Sequence, residues 1–451
     1  MIYDYPTKSP KSSWLWWSSA IGIFILSALS VIWAVATHGV NVPYYDQWDR
    51  SWEFIILNFE NQTLILPQLF QQHNEHRIFF TNLLSILSAI LTDWNIRFEI
   101  FMNAVLCIAN GIILMAIFRK HTPRLMPLAV IIASLLVISL NQYGNLLFGF
   151  QSQFYFVILF LFMTFYCLDT PNMTNKRLGL ATFFAICATF SLANGVFVWF
   201  IGLFGMWLAG VRSKKHYVLW LLATIIFNVL FFSNYYLSSG SSSIQPVAMI
   251  RYIPIYLSSS LMPRDLFVYS LWYPLAIIVI VGWRISRNYY YLFKHGHHQE
   301  VAVWWMIALT ALIATFLSSL RRPSLQVALD SRYITLSILF WIGVLGLILT
   351  ANSFIRQKTS ISPSVRRLYW GNIAFIAIFF AIHLLTTMTL IPKMSSQADI
   401  MRDYETCVLA YPTTQDESCL EGVYLRLEDN TRLINWILQM QERGMGPFSG
   451  E

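Results

Sequence analysis

Charge is what this sequence has least of: only 12% of its 451 residues are Asp, Glu, Lys or Arg. A soluble domain carries about a quarter, so a chain solvated along its whole length is excluded. The charge that exists avoids the apolar stretches, where His383 is the nearest approach to a mid-span ionisable group. A transporter or flippase would need such groups near the bilayer midplane, and it would often show paired broken helices, which are also absent. There is no internal repeat. The formal net charge of +8 is not gathered into a patch with interleaved polar surface, so nucleic acid is not an expected partner. His73 and His76 stand three apart without a third strong ligand nearby, a poor match to a zinc hydrolase.

Apolar runs of membrane length are present instead. Hydrophobic residues make up 57% of the chain and aromatic residues 16%, and the mean hydropathy is +0.56. A hydrocarbon core of about 30 Å requires roughly 20 helical residues, and aromatic rings favour the headgroup level at span ends. Spans are predicted near 14–37, 97–118, 125–140, 150–168, 178–191, 196–210, 217–237, 266–283, 301–320, 333–351 and 369–391, about 11 transmembrane helices in an all-α polytopic protein. The first run is too long for the core of a cleaved signal and is read as an uncleaved span. The apolar segment 78–92 is short for a crossing, and charge decides its place. If it lies in the outer interface, 17 of the 30 Lys and Arg face the cytoplasm, with only Asp4, Asp169 and Glu300 among the acids. If it crosses, most of those basic clusters face outward, against the positive-inside bias. Basic clusters flank 178–210 at both ends, which requires an even number of crossings there. SLANG at 191–195 interrupts that stretch and is expected to border something polar, because irregular backbone at membrane depth must be buried in protein or line a cavity.

This topology puts the N-terminus in the cytoplasm of a multi-pass protein of the plasma (inner) membrane. Outside lie the first loop (38–96, with interfacial helices) and a small C-terminal module (392–451) appended to the transmembrane domain (1–391). Cys407 and Cys419 fall in the module, where an oxidising compartment permits a disulfide; Cys107, Cys167 and Cys187 sit within spans as packing residues. Leu433, Trp436, Ile437 and Met440 have the spacing of one amphipathic helix.

The first loop concentrates the chemistry. Asp46 and Asp49 stand among Tyr44, Tyr45, Trp48 and Trp52, and on a helical turn their spacing puts both carboxylates on one face. A carboxylate held where water is scarce gains proton affinity and becomes a better general base. The pair could also hold a divalent cation, Mg or Mn, against a phosphate; the bland alternative is a solvated acidic loop. In QHNEHR (72–77) the imidazoles of His73 and His76 join Glu75 and Arg77. That segment reads as a helix N-terminus attracting an anion, or simply as a polar cap. Arg321, Arg322 and Arg332 bracket an outward loop where the charge bias disfavours them. They suit bidentate phosphate contacts, or anchoring to acidic headgroups. Arg332 opens a helix, where a cation needs a partner; Asp330 or a bound anion would serve. Gln151 and Gln153 place amides near the outer membrane edge, for a sugar hydroxyl or a helix end.

Together these residues resemble the GT-C superfamily of membrane glycosyltransferases. The order matches over the first 120 residues: one span, an aromatic-flanked acidic motif (Tyr44 to Asp49), a His-led segment from His73, an interfacial helix, and a second span ending in Arg119 and Lys120. The resemblance implies a polyprenyl-phosphate-linked sugar donor and a glycan, lipid or protein acceptor. It also implies an active site on the outer face and a first-loop Asp that activates the acceptor. Carried over, Asp46 is the base with Asp49 second. Arg321, Arg322, Arg332 and Arg77 are the donor-phosphate ligands, and Tyr45, Trp48, His73, Glu75, His76, Gln151 and Tyr333 are substrate-binding. The better-known branches often show His-Pro-Pro where this chain has His73-Asn74-Glu75. The rival expectations are a flippase of lipid-linked glycans, a polysaccharide polymerase or ligase, and a structural assembly subunit.

Overall fold

In lipid a chain must bond its own backbone, and this one does so with helices throughout. The structure is a computed structural model that describes residues 14–236, 245–262, 272–321, 324–424 and 430–450. Helix α1 (Trp14–His38) leads to a π-helix (Gln47–Ile56), a tight turn at 72–77 and α2 (Phe79–Thr92). Then come α3 (Ile96–His121), α4 (Met126–Val137), α5 (Ser152–Leu168), α6 (Asn175–Thr189), α7 (Val198–Leu208) and α8 (Lys214–Phe232). The second half is α9 (Pro246–Ser258), α10 (Trp272–Lys294), α11 (Ala302–Arg321), α12 (Ser331–Ile355), α13 (Pro363–Thr414) and α14 (Thr431–Arg443). The first residues of the span expected near 266–283 lie outside the described residues. Asn95, Thr174, Asp330 and Ser362 cap α3, α6, α12 and α13, each accepting a backbone N–H of the first turn. Such caps satisfy groups that no helix can bond internally.

Eight helical stretches among the described residues are long and apolar enough to cross a membrane: α1, α3, the stretches containing α4 and α5, α8, α11, α12 and α13. The chain is an all-helical polytopic membrane protein. Helix α2, at 14 residues, reaches only about 21 Å, too short for a crossing. Helices α6 and α7 are short as well, and 190–197 turns the chain between them.

Helix α12 is the central post. Its whole apolar stretch is buried, and it packs most extensively on α11, with α9, α10 and α13 around it. Small residues permit the approach: a Cβ on Gly346 would lie 2.2 Å from the Trp304 ring, and one on Gly343 would meet the Trp304 carbonyl at 2.6 Å. Small residues at helix contacts are how membrane helices gain van der Waals packing. The Asn372 amide donates to Asn288 (2.7 Å) and Asn352 (2.8 Å), tying α13 to α10 and α12.

Helix α13 runs 52 residues, through Pro392, without ending near 391. At 1.5 Å per residue it is about 78 Å long. Cys407, near its far end, is disulfide-bonded to Cys419, and the chain returns as α14, whose Leu433, Trp436, Ile437 and Met440 are buried. The tail shares one hydrophobic core with the first loop. Trp436 stacks on Trp48 at 6.2 Å, Arg432 pairs with Glu53, and the Asn41 amide donates to the Gly446 carbonyl at 2.8 Å.

Replacing Gly346 by Ala is expected to destabilise the protein by about 1–3 kcal/mol through overpacking, read as a lower thermal midpoint in detergent. Gly22→Ala on α1, where a Cβ would meet nothing within 4 Å, should leave the midpoint unmoved.

Candidate functional site

A cavity of about 520 Å³ opens where the first loop meets the ends of α8, α9, α11 and α12. Its polar wall is Asp46, His73 to His76, Gln151, Gln153, Asn194 and Arg332, and its apolar wall includes Phe154, Phe197, Phe231, Phe232, Leu317 and Leu320. The lining is partly polar and more largely apolar, the mixed character common in small-molecule sites.

Much of the polar wall is delivered by irregular backbone, while Gln153 and Arg332 stand in the first turns of α5 and α12. Tyr45 has φ +44°, and this turn brings Asp46 to the cavity at the head of the π-helix. The 72–77 segment is closed by reciprocal backbone bonds: His73 N–H to the His76 carbonyl (2.8 Å) and His76 N–H to the His73 carbonyl (2.9 Å). Asn74, with φ +50°, makes the reversal; Asn tolerates that region better than most residues. The result sets His73 Nε2 3.5 Å from the Asp46 carboxylate, with these side chains only 11% and 18% exposed. The Asn74 amide approaches the same Nε2 at 3.1 Å, and Phe150 meets the His73 ring edge-on at 5.5 Å. His76 is oriented by Ala193, whose N–H donates to Nδ1 at 3.3 Å. SLANG therefore borders a polar space: Leu192, Ala193 and Asn194 line the cavity.

On the facing wall, Asp330 takes two roles. One oxygen caps α12, and the other accepts Arg332 Nε (3.1 Å) and Nη2 (2.8 Å). The partner that a cation at a helix N-terminus needs is thus Asp330. The whole corner is bolted to 143–146: Gly144 N–H donates to Ser331 Oγ (2.9 Å), and the Asn145 amide donates to the Arg332 carbonyl (2.7 Å). Tyr333 lines the cavity beside Tyr256, ring centroids 5.7 Å apart.

The structure thus gathers Tyr45, Asp46, His73, Glu75, His76, Gln151, Arg332 and Tyr333 around one space. The other expected residues lie elsewhere or beyond description. Trp48 is fully buried against Trp436. Asp49 is not in the lining but near Arg50 and Arg432. A π-helix has a wider turn than an α-helix, so the three-residue spacing no longer puts Asp46 and Asp49 on one face. Burial lowers the Arg50 guanidinium to about 10, Asp49 opposing the shift. The Arg321 side chain and all of Arg322 lie outside the described residues.

Arg77 does not reach the cavity either. Its guanidinium donates to the carbonyls of Phe231 (2.7 Å), Phe70 (2.7 Å) and Ser233 (2.5 Å), and burial pulls its pKa below the usual value. It fastens the end of α8 to the first loop. The segment 72–77 is also not the cap of α2: Ile78 stands there, and the first N–H of α2 donates to the Phe190 carbonyl.

Asp46 lines the cavity and Asp49 does not. Among the described residues no three His, Cys, Asp or Glu side chains gather as metal ligands.

Gln153, paired with Gln151 in the sequence reading, is in the lining; that reading missed Asn194 and Tyr256 as lining residues, and Glu99 behind the wall. Glu99 carries a legible signal, an acid within the first turn of an apolar span, since ionisable groups there are rare. No protein-family model matches the chain, and no curated protein matches its sequence.

Arg77→Lys leaves buried carbonyls unpaired, each unmet group costing about 1–3 kcal/mol, so the thermal midpoint in detergent should fall clearly. Arg332→Lys, at a half-exposed pair, should cost about 1 kcal/mol or less in the same assay.

Proposed function

We propose that the chain is a GT-C-type membrane glycosyltransferase, moving a sugar from a polyprenyl-phosphate donor to a hydroxyl acceptor in this cavity. The observation that carries the reading is the lining itself: a His-paired carboxylate, a guanidinium and several amides face one space whose opposite wall is apolar. The apolar wall suits a prenyl chain, and the polar wall suits a sugar and its phosphate.

In this mechanism Asp46 takes the proton from the acceptor hydroxyl as its oxygen attacks the anomeric carbon. His73 holds the carboxylate in place. The bond to the donor phosphate breaks, and Arg332 stabilises the charge that develops on the departing oxygen. Asp330 grips the fork through Nε and Nη2, which presents Nη1 as the edge for a phosphate. A single displacement inverts the anomeric centre. Gln151, Gln153 and Asn194 supply neutral hydrogen-bonding groups for sugar hydroxyls. No step needs a metal, and a divalent cation remains compatible with the donor phosphate.

The topology that goes with this reading has eleven crossings, with α6, α7 and α10 added to the eight long stretches. The cavity then faces the outer compartment of the plasma membrane. The Lys120, His121 and Asp169 cluster, which joins the ends of α3 and α5, faces the cytoplasm.

Asp46→Asn should lower transfer from a polyprenyl-linked sugar in proteoliposomes about 100-fold or more, the usual worth of a general base; full transfer by this variant sinks the role given to Asp46. Arg332→Gln should lower turnover with little change in expression. In intact cells a membrane-impermeant maleimide should label Thr63→Cys and spare Lys358→Cys; the reverse pattern overturns the orientation. Mass spectrometry of surface glycans and lipid-linked sugars with and without the gene separates transfer from flipping. An accumulated lipid-linked monosaccharide on the outer face supports transfer, and accumulation on the inner face supports a flippase.

A further inference from the structure

Glu99 is a fully buried carboxylate outside the cavity, 1% exposed, in the first turn of α3. Gln47 Nε2 donates to its Oε2 at 2.8 Å, and Trp94 Nε1 donates to its Oε1 at 3.0 Å. The orientation of the Gln47 amide is fixed, because its Oε1 accepts the Tyr44 N–H at 3.2 Å. Indole and amide nitrogens only donate, so both carboxyl oxygens of Glu99 accept.

What Glu99 holds is the site. Its bond to Gln47 and the Gln47 bond to Tyr44 close a ring around the strained turn that aims Asp46. On its other side Gly149 lies flush against it: a Cβ there would come within 2.6 Å of Glu99 Oε2 and 3.1 Å of Gln47 Nε2. Gly149 leads directly into Phe150 and Gln151 of the cavity wall. One turn along α3, Asn103 donates to the carbonyls of Asn145 (3.0 Å) and Phe148 (2.9 Å). One helix face therefore grips both the wall that carries the acid and the wall that carries the amides.

We propose that Glu99 is the positioning residue of this site, the fixed hydrogen-bond acceptor against which Asp46 and the 148–151 wall are set. The proposal rests on Asp46 being the reacting carboxylate. Glu99 touches no substrate and acts through Gln47.

The hydrogen-bond polarity supplies the test. In Glu99→Gln an amide must face two donors, and one contact fails. In Gln47→Glu two carboxylates face each other. In the double exchange the amide now at position 99 accepts from Trp94 and donates to the carboxylate now at position 47. That carboxylate also accepts the Tyr44 N–H, so the bonds to Trp94, to Tyr44 and between the two exchanged side chains are restored, the last in reverse; the Ser85 hydroxyl, which also meets Glu99, rotates to suit either side chain. Misplacing a reacting group by about 1 Å costs about 100-fold, so each single variant should lose tenfold to a hundredfold in kcat with KM within about threefold. The double exchange should recover to within about threefold of the parent. Failure of the exchange to recover, or full kcat in both single variants, overturns the proposal.

A readout independent of transfer is maleimide labelling of Asp46→Cys, since Cys107, Cys167 and Cys187 are buried and Cys407 and Cys419 are disulfide-bonded. Its labelling rate should change severalfold on adding Glu99→Gln and return with the double exchange, at a thermal midpoint that stays above the assay temperature. An unchanged rate in all backgrounds refutes positioning. If the parent protein transfers no sugar while the labelling follows this pattern, the reading of the reaction fails and the positioning of residue 46 stands.

Discussion

A bilayer offers no water to a peptide group, so every turn made at membrane depth needs a polar partner from the protein itself. This protein breaks its apolar helices with several turns, and some of them line the cavity. The carbonyls freed between α4 and α5 are met by Asn103 and by Gln142, which donates to Val137 at 2.5 Å. His383 approaches the Leu135 carbonyl at 2.9 Å with Nε2 and the Ser260 carbonyl at 3.1 Å with Nδ1. Trp341 donates to Leu257, and Trp220 donates to Trp199. The buried Asn, Gln and His residues are thus the condition for having any irregular backbone there. His383, the ionisable residue deepest in the last span, acts as a cross-brace between α4, α9 and α13.

Much of the architecture was legible because apolar length is a one-dimensional signal. The eight long stretches, the shortness of 78–92, and the break at SLANG all follow from counting residues against a fixed thickness. The tail helix was legible from the spacing of Leu433, Trp436, Ile437 and Met440, whose burial the structure gives. The boundary near 391 marks where composition turns polar, yet the backbone continues, since α13 has its first core contacts in lipid and its last against the tail. Composition reports the solvent, and continuity reports the hydrogen bonds.

The site was legible in part for a related reason. Asp46, His73, His76 and Arg332 carry polar chemistry into apolar surroundings and stand out. Arg77 stands out equally and serves three carbonyls, because a guanidinium suits a cluster of backbone oxygens as well as a phosphate. Asp49 is set apart from Asp46 by a π-helical turn, which has no clear sequence signature. Glu99 stands out as an acid in an apolar span, but what it and Asn103 hold shows only through partners 52 and 42 residues away, and no local pattern encodes such pairs. The strained conformations at Tyr45 and Asn74 mark where the surroundings dictate the backbone.

The clasp between the tail and the first loop also has a consequence in time. Asn41 and Gly446 are 405 residues apart, and a ribosome adding roughly 5–20 residues per second needs about 20 to 80 seconds to cover that distance. Through that interval Trp48 and the outer side of the π-helix have been made but their cover has not. Until then Trp48 lacks the ring it stacks on, while Trp52 and Trp94 already have each other. The loop is held by Glu405, Arg432, Trp436 and Gly446, all made after the helices that lie between loop and tail, so this end of the protein assembles late.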